Sequence, residues 1–126
     1  RSYYMTPAEA SFVKYGINSF LASKVLWFNQ FSDICDKYNV RYNTVINAMI
    51  TDQRIGSSHV QVPGSDGRKG YGGACFPKDT NAFSKFAEGD FSLLDLIIKE
   101  NNKYRSNYNL DDREKEQNVV YINSKV

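Results

Sequence analysis

The chain has 126 residues and a mass of 14.4 kDa, the size of about one ordinary domain, so a multi-domain enzyme is excluded within it. Hydrophobic residues at 41% against 24% charged residues suit a packed core and exclude a disordered or collagen-like chain. Sixteen Lys and Arg against fourteen Asp and Glu leave a net charge of +2, which gives no reason to expect nucleic acid or an anionic membrane as partner. No apolar run approaches the length of a membrane span. Cys35, Cys75 and the single histidine, His59, make neither a disulfide framework nor a metal site, and a reducing, cytoplasmic setting is the default expectation.

Thr6-Pro7-Ala8-Glu9 places a hydroxyl at a helix N-cap, proline at the first helical position and glutamate three residues after the cap. From there to about Tyr38, Ala10, Phe12, Val13, Ile17, Phe20, Leu21, Val25, Phe28, Phe31, Ile34 and Cys35 recur at three- and four-residue steps. This predicts one helix of about thirty residues, roughly 45 Å long. Aromatic residues at several angles around it predict cover on more than one side, most simply by a second copy of the chain. Gly16 in mid-helix suggests a close approach of backbone or ligand.

A short helix is predicted over about Asn43 to Thr51, capped by Asn43 or Thr44, with Val45, Ile46, Met49 and Ile50 inward. It stops at Gly56 after Asp52-Gln53-Arg54-Ile55. Residues Ser57 to Gly73, with five glycines after Pro63, read as a loop long enough to be functional. Helix returns near Pro77 and runs to about Ala87. A fourth covers about Phe91 to Tyr108, with Leu93, Leu94, Leu96, Ile97 and Ile98 on its core face. The fold class expected is all-α: one long N-terminal helix, three or so shorter ones and a glycine-rich loop. Residues 1–109 form the domain in this reading. Residues 110–126 are a tail or linker, with one apolar patch at Val119-Val120-Tyr121-Ile122.

Three groups of residues could carry chemistry. Lys14 and Asn18, four residues apart, share one helical face beside Gly16; an ordinary solvated pair is the commoner meaning of that spacing. Gly70-Tyr71-Gly72-Gly73-Ala74-Cys75-Phe76-Pro77-Lys78-Asp79 puts a thiol at or just before a helix start, where the positive end of the helix dipole favours the nucleophilic thiolate. Asp79 lies one turn beyond, within reach as a base or to position water. Cys35, among Ile34 and Phe31, reads as a core thiol. Arg54 at a helix end suits a phosphate or carboxylate, or simply complements the helix dipole. The glycine run is not a dinucleotide fingerprint, because Cys75 stands where the third glycine belongs and no strand precedes it.

Taken in order, Lys14-Tyr15-Gly16-Ile17-Asn18-Ser19-Phe20-Leu21-Ala22-Ser23-Lys24-Val25, Asp52-Gln53-Arg54-Ile55-Gly56, His59, Val62-Pro63-Gly64-Ser65-Asp66-Gly67 and the Gly70–Asp79 motif resemble the central domain of the UDP-glucose/GDP-mannose dehydrogenase family. The likeness covers about residues 6 to 108 and is closest to the UDP-glucose 6-dehydrogenases. It implies oxidation of a UDP-sugar C6 alcohol to a carboxylate with two NAD. Cys75 would form the thiohemiacetal and thioester, Asp79 would assist proton transfer and hydrolysis, Lys14 would stabilise the oxyanion, and Asn18 would orient sugar or water. Gly70, Tyr71, Gly72 and Gly73 would hold the nucleotide-sugar, Arg54 would reach toward a partner subunit's substrate in a homodimer built on the long helix, and Lys78 would lie toward the cofactor. Tyr71 stands where phenylalanine is more usual. The resemblance also implies a Rossmann domain before this stretch and a UDP-binding domain after it, neither of which the sequence contains. An excised or naturally shortened central domain, inactive and without bound NAD on its own, is therefore expected. A non-catalytic dimerisation or nucleotide-sugar-binding module is the other reading.

Overall fold

The computed structural model describes residues 4–121. Its order is α1 (Pro7–Lys37), α2 (Tyr42–Met49), α3 (Cys75–Ala87), α4 (Ser92–Arg105) and α5 (Asp112–Glu116), with no strand among the described residues. The all-α expectation holds. Thr6 and Glu9 close the capping box at the start of α1: the Glu9 N–H donates to the Thr6 hydroxyl at 3.1 Å, and the Thr6 N–H donates to the Glu9 carboxylate at 2.8 Å. At the other end Asn39 adopts a left-handed φ of 56°, and Val40 N–H donates back to the Cys35 carbonyl at 2.8 Å, a Schellman ending. α2 starts at Tyr42, with Arg41 rather than Asn43 or Thr44 at its cap and no side-chain cap bond.

α1 is the spine, packing against α3 and, less extensively, against α4 and α2. One core forms where α1 meets α2 and the following loop, from Phe28, Cys35, Tyr42, Ile46 and Val60, flanked by Phe31, Met49 and Ile55. Tyr42 donates its hydroxyl hydrogen bond to the Val60 carbonyl, and Lys24 ties α1 to the Ile55 carbonyl at 2.8 Å. Near the start of α1, Phe12 packs edge-on against Phe83 of α3, which in turn meets Phe91 ahead of α4.

The apolar stripe of α1 is packed only in part: Phe28 and Cys35 enter the core, with Phe31 against it. Val13, Ile17, Phe20, Trp27 and Ile34 are exposed, Phe20 at 69%, while Ser19, Ala22, Leu26, Asn29 and Ser32 are buried. Small and polar residues dominate where α3, α4 and the loop meet α1, while several bulky apolar residues remain exposed, Trp27 and Ile34 along a groove shared with Glu100 and Tyr104 of α4. Gly16 meets no such approach, since a Cβ built there would have nothing within 4 Å. On α4, likewise, Leu94 is buried but Leu93 and Leu96 are exposed.

Residues 110–121 are structured. Asp111 caps α5 through a second capping box with Glu114. Glu114 is fully buried; it accepts the Tyr121 hydroxyl and lies 3.6 Å from Arg68 of the long loop. Val119 of the predicted apolar patch is buried and Val120 exposed, whereas Ile122 lies outside the described residues.

Candidate active site

Two helices bring Asn18 and Asp79 together, with Cys75 one turn before Asp79. Cys75 opens α3 as its first residue, exposed, with Ala74 at a cap that has no side-chain hydrogen bond. One turn on, Asp79 is buried, and the Asn18 side-chain amide of α1 donates to its Oδ2 at 2.6 Å. Lys14 lies one turn before Asn18 on α1, with its ammonium over the neighbouring Tyr15 ring at 5.4 Å. The thiol and the carboxylate thus stand on one face of α3, and the amide joining α1 to α3 holds the carboxylate's orientation.

A cleft of about 450 Å³ is lined among others by His59, Gly70, Tyr71, Gly72, Arg105 and Arg113; it reaches Phe76, next to Cys75, while Cys75, Asp79, Asn18 and Lys14 are not among its lining residues. The His59 ring lies 5.7 Å from that of Phe76, the residue after the thiol. Gly70 adopts φ 78°, in the left-handed region that favours glycine. At Gly72 a Cβ would fall 2.2 Å from Arg105 Nη1, so a larger residue there would displace that guanidinium.

Tyr71 is buried and turned toward α3. Thr80 gives its single hydroxyl proton to the Phe76 carbonyl at 2.7 Å, so the Tyr71 hydroxyl is the donor in their 3.3 Å contact. Burial pushes the Tyr71 phenol up to about 12, against a smaller lowering by Thr80, which keeps it a donor at any physiological pH. Beneath the loop, Arg105 donates to the Gly70 carbonyl and to Asp66, both at 2.8 Å. Burial works against the Asp66 charge. The Arg105 hydrogen bond, the Arg68 backbone N–H and both guanidinium charges outweigh it, and the carboxyl sits below its usual range.

Arg54 and Lys78 stand apart from this grouping. Arg54 is exposed and forks onto Asp52 through Nε at 3.0 Å and Nη2 at 2.7 Å. Lys78 is exposed in the first turn of α3. Asn29, Asn101 and Arg105 join the site only in the structure, although polar residues such as Asn29 and Ser32 amid the apolar residues of α1 are a signal of buried pairing. Among the described residues no group of three His, Cys, Asp or Glu is placed to hold a metal. No described helix is long and apolar enough to cross a membrane.

Residues 8–103 match the model of the UDP-glucose/GDP-mannose dehydrogenase family, central domain. The chain is 42% identical over 101 residues to UDP-glucose 6-dehydrogenase YwqF of Bacillus subtilis (strain 168), covering 78% of this chain and 22% of that protein. It is 33% identical over 100 residues to UDP-glucose 6-dehydrogenase TuaD of the same organism (77% and 21%), and 36% identical over 94 residues to the UDP-glucose 6-dehydrogenase of Rhizobium meliloti (strain 1021) (75% and 20%). The chain therefore spans about a fifth of the length of these curated relatives. No solved structure matches it.

Proposed function

Because this chain belongs to the UDP-glucose/GDP-mannose dehydrogenase family, as a central domain, we propose that it is the dimer-forming, substrate-side domain of an enzyme that oxidises the C6 alcohol of UDP-glucose to a carboxylate. The observation that carries this reading is the Asn18–Asp79 hydrogen bond one turn from an exposed Cys75 at a helix start. The redox cofactor of the proposed reaction is NAD, which accepts the hydrides released from C6. The described residues do not fit a dinucleotide site. They include no strand, and the glycine run before α3 has Cys75 where the third glycine of a dinucleotide fingerprint belongs. In this reading NAD is held by another domain of the enzyme, with Lys78 on the side facing it.

The chain's own residues act on the aldehyde. Cys75 Sγ forms a bond to C6 as the carbonyl electron pair moves to oxygen, and that oxygen takes a proton to give a thiohemiacetal. Lys14 stabilises the oxygen while it is negative. Passing from thiohemiacetal to thioester would release a hydride to the NAD held by the other domain and the hydroxyl proton to solvent. Asp79, its Oδ2 held by Asn18, then removes a proton from the attacking water. The C–S bond then breaks, and the carboxylate leaves with the thiol restored. Gly70, Tyr71, Gly72 and Gly73 form the floor against which the nucleotide-sugar lies.

Homodimerisation across α1 belongs to the same proposal and is supported by the exposed stripe of Val13, Ile17, Phe20, Trp27 and Ile34. Dimerisation would also give Arg54, solvated on one chain, a substrate to meet. The two free thiols support a reducing, cytoplasmic setting.

The test is reconstitution. The isolated chain with UDP-glucose and NAD should form no NADH, and an NAD-binding domain from a relative, supplied in trans or fused, should restore it. NADH formation by the pure isolated chain would overturn the assignment of the cofactor to another domain. Failure of every reconstitution, with UDP-glucose still bound, would favour a non-catalytic binding module.

A further inference from the structure

The glycine loop is gripped from below by two helices at consecutive groups. Asn29 and Asp33, one turn apart on α1, take the Gly70 N–H at 2.9 Å and the Lys69 ammonium at 2.8 Å. Asn101 and Arg105, one turn apart on α4, take the next groups. The Tyr71 N–H donates to Asn101 Oδ1 at 2.7 Å, Asn101 Nδ2 donates to the Tyr71 carbonyl at 3.0 Å, and Arg105 donates to the Gly70 carbonyl. Asn29 and Asn101 are each 1% exposed. Asn101 therefore satisfies both backbone groups of Tyr71, as a neighbouring β-strand would, in a fold with no strand among its described residues.

What lies beyond Tyr71 gives this grip a consequence. The Tyr71 hydroxyl reaches Thr80, the residue after Asp79, and its ring packs edge-on at 6.3 Å against Phe76, the residue after Cys75. The first turn of α3 thus leans on Tyr71, which Asn101 holds in place, with the His59 ring also against Phe76. The other side of that turn is fixed by Asn18. We infer that Asn101, with Asn29 on the preceding loop group, is a positioning residue: its side-chain amide is spent on the Tyr71 backbone, and it sets where Cys75 and Asp79 stand relative to the cleft floor. The inference rests on the proposed role of Cys75. A small misplacement of reacting groups can cost about a hundredfold in rate, so a grip this far from the thiol has room to act.

The experiment compares Asn101→Ala and Asn29→Ala with the unsubstituted sequence in the complete enzyme carrying this domain. Asn29→Ala frees only one loop N–H and serves if Asn101→Ala does not fold. The expected result is a kcat lower by about tenfold or more, a larger change than any rise in KM for UDP-glucose as the loop floor loosens, and a retained cooperative melt. A raised KM at unchanged kcat, or both constants unchanged while the Tyr71 amide exchanges faster with solvent, would overturn the inference and leave Asn101 a structural residue. If the unsubstituted enzyme does not oxidise UDP-glucose, it is the functional reading that fails. The grip is then judged on this chain alone by the iodoacetamide rate of Cys75. A change of several-fold in folded Asn101→Ala upholds positioning, and an unchanged rate rejects it.

Discussion

Asn18 and Asp79, 61 residues apart in the chain, meet at 2.6 Å and join the long helix to the helix that begins with Cys75. The amide N–H is spent on one carboxylate oxygen, which fixes the plane of Asp79 against its own turn. An Asp79→Asn substitution keeps that contact, because the new carboxamide oxygen can accept from Asn18 in the same place. Stability should therefore change little, whereas thioester hydrolysis in the complete enzyme should slow by about 10²–10⁴-fold. A sugar adduct on the Cys75 peptide, seen by mass spectrometry during turnover, checks it.

Asn18→Ala has the opposite profile in stability. It leaves the buried Asp79 oxygen without its donor and should cost about 1–3 kcal/mol, read as a lower urea midpoint at unchanged slope.

The two thiols should differ sharply. Cys35 is buried in the α1–α2 core and Cys75 is exposed at a helix start, so iodoacetamide should label Cys75 well before Cys35 in the folded chain. Peptide mass spectrometry at short times reads the order, and equal rates would reject the two placements.

Acid should weaken the loop through Asp66. Its carboxyl is held below its usual range in the folded chain, so its contribution is complete above the unfolded value, near 3.8, and is lost as pH falls through the lower folded value. Asp66→Asn should lower the melting temperature at neutral pH, and the gap to the unsubstituted chain should close as pH falls below about 4.

The exposed stripe of α1 predicts a dimer of about twice 14.4 kDa by light scattering. Phe20→Lys places a charge in the middle of that stripe, at a position 69% exposed in the single chain. It should yield a folded monomer, with little change in far-ultraviolet circular dichroism.

Local signals in the sequence located most elements. Thr6 through Glu9 marks the start of α1 because a capping box is written in four adjacent residues, and Cys75 and Asp79 show their shared face because helical spacing is local. The direction of α1 was not legible in the same way. Periodicity finds the stripe of Ile17, Phe20 and Trp27 but cannot say whether this chain or another covers it, and here the close packing is made by Ala22, Leu26 and Asn29. The loop anchors were less legible still. Asn29 and Asn101 pair with backbone groups 41 and 30 residues away; a polar residue amid apolar ones marks Asn29 as buried, but no local pattern names the partner of either. α5 is different, for Asp111 and Glu114 spell the same capping box as Thr6 and Glu9.

The central claim is that Cys75 carries the sugar from aldehyde to carboxylate. The most direct test is product analysis by mass spectrometry of UDP-glucose turned over by the enzyme reconstituted with an NAD-binding domain, with Cys75 intact and as Cys75→Ala. The account predicts the UDP-sugar carboxylate from the first and none from the second, in which any residual oxidation stops at the aldehyde. Carboxylate formed at a comparable rate by Cys75→Ala would contradict it.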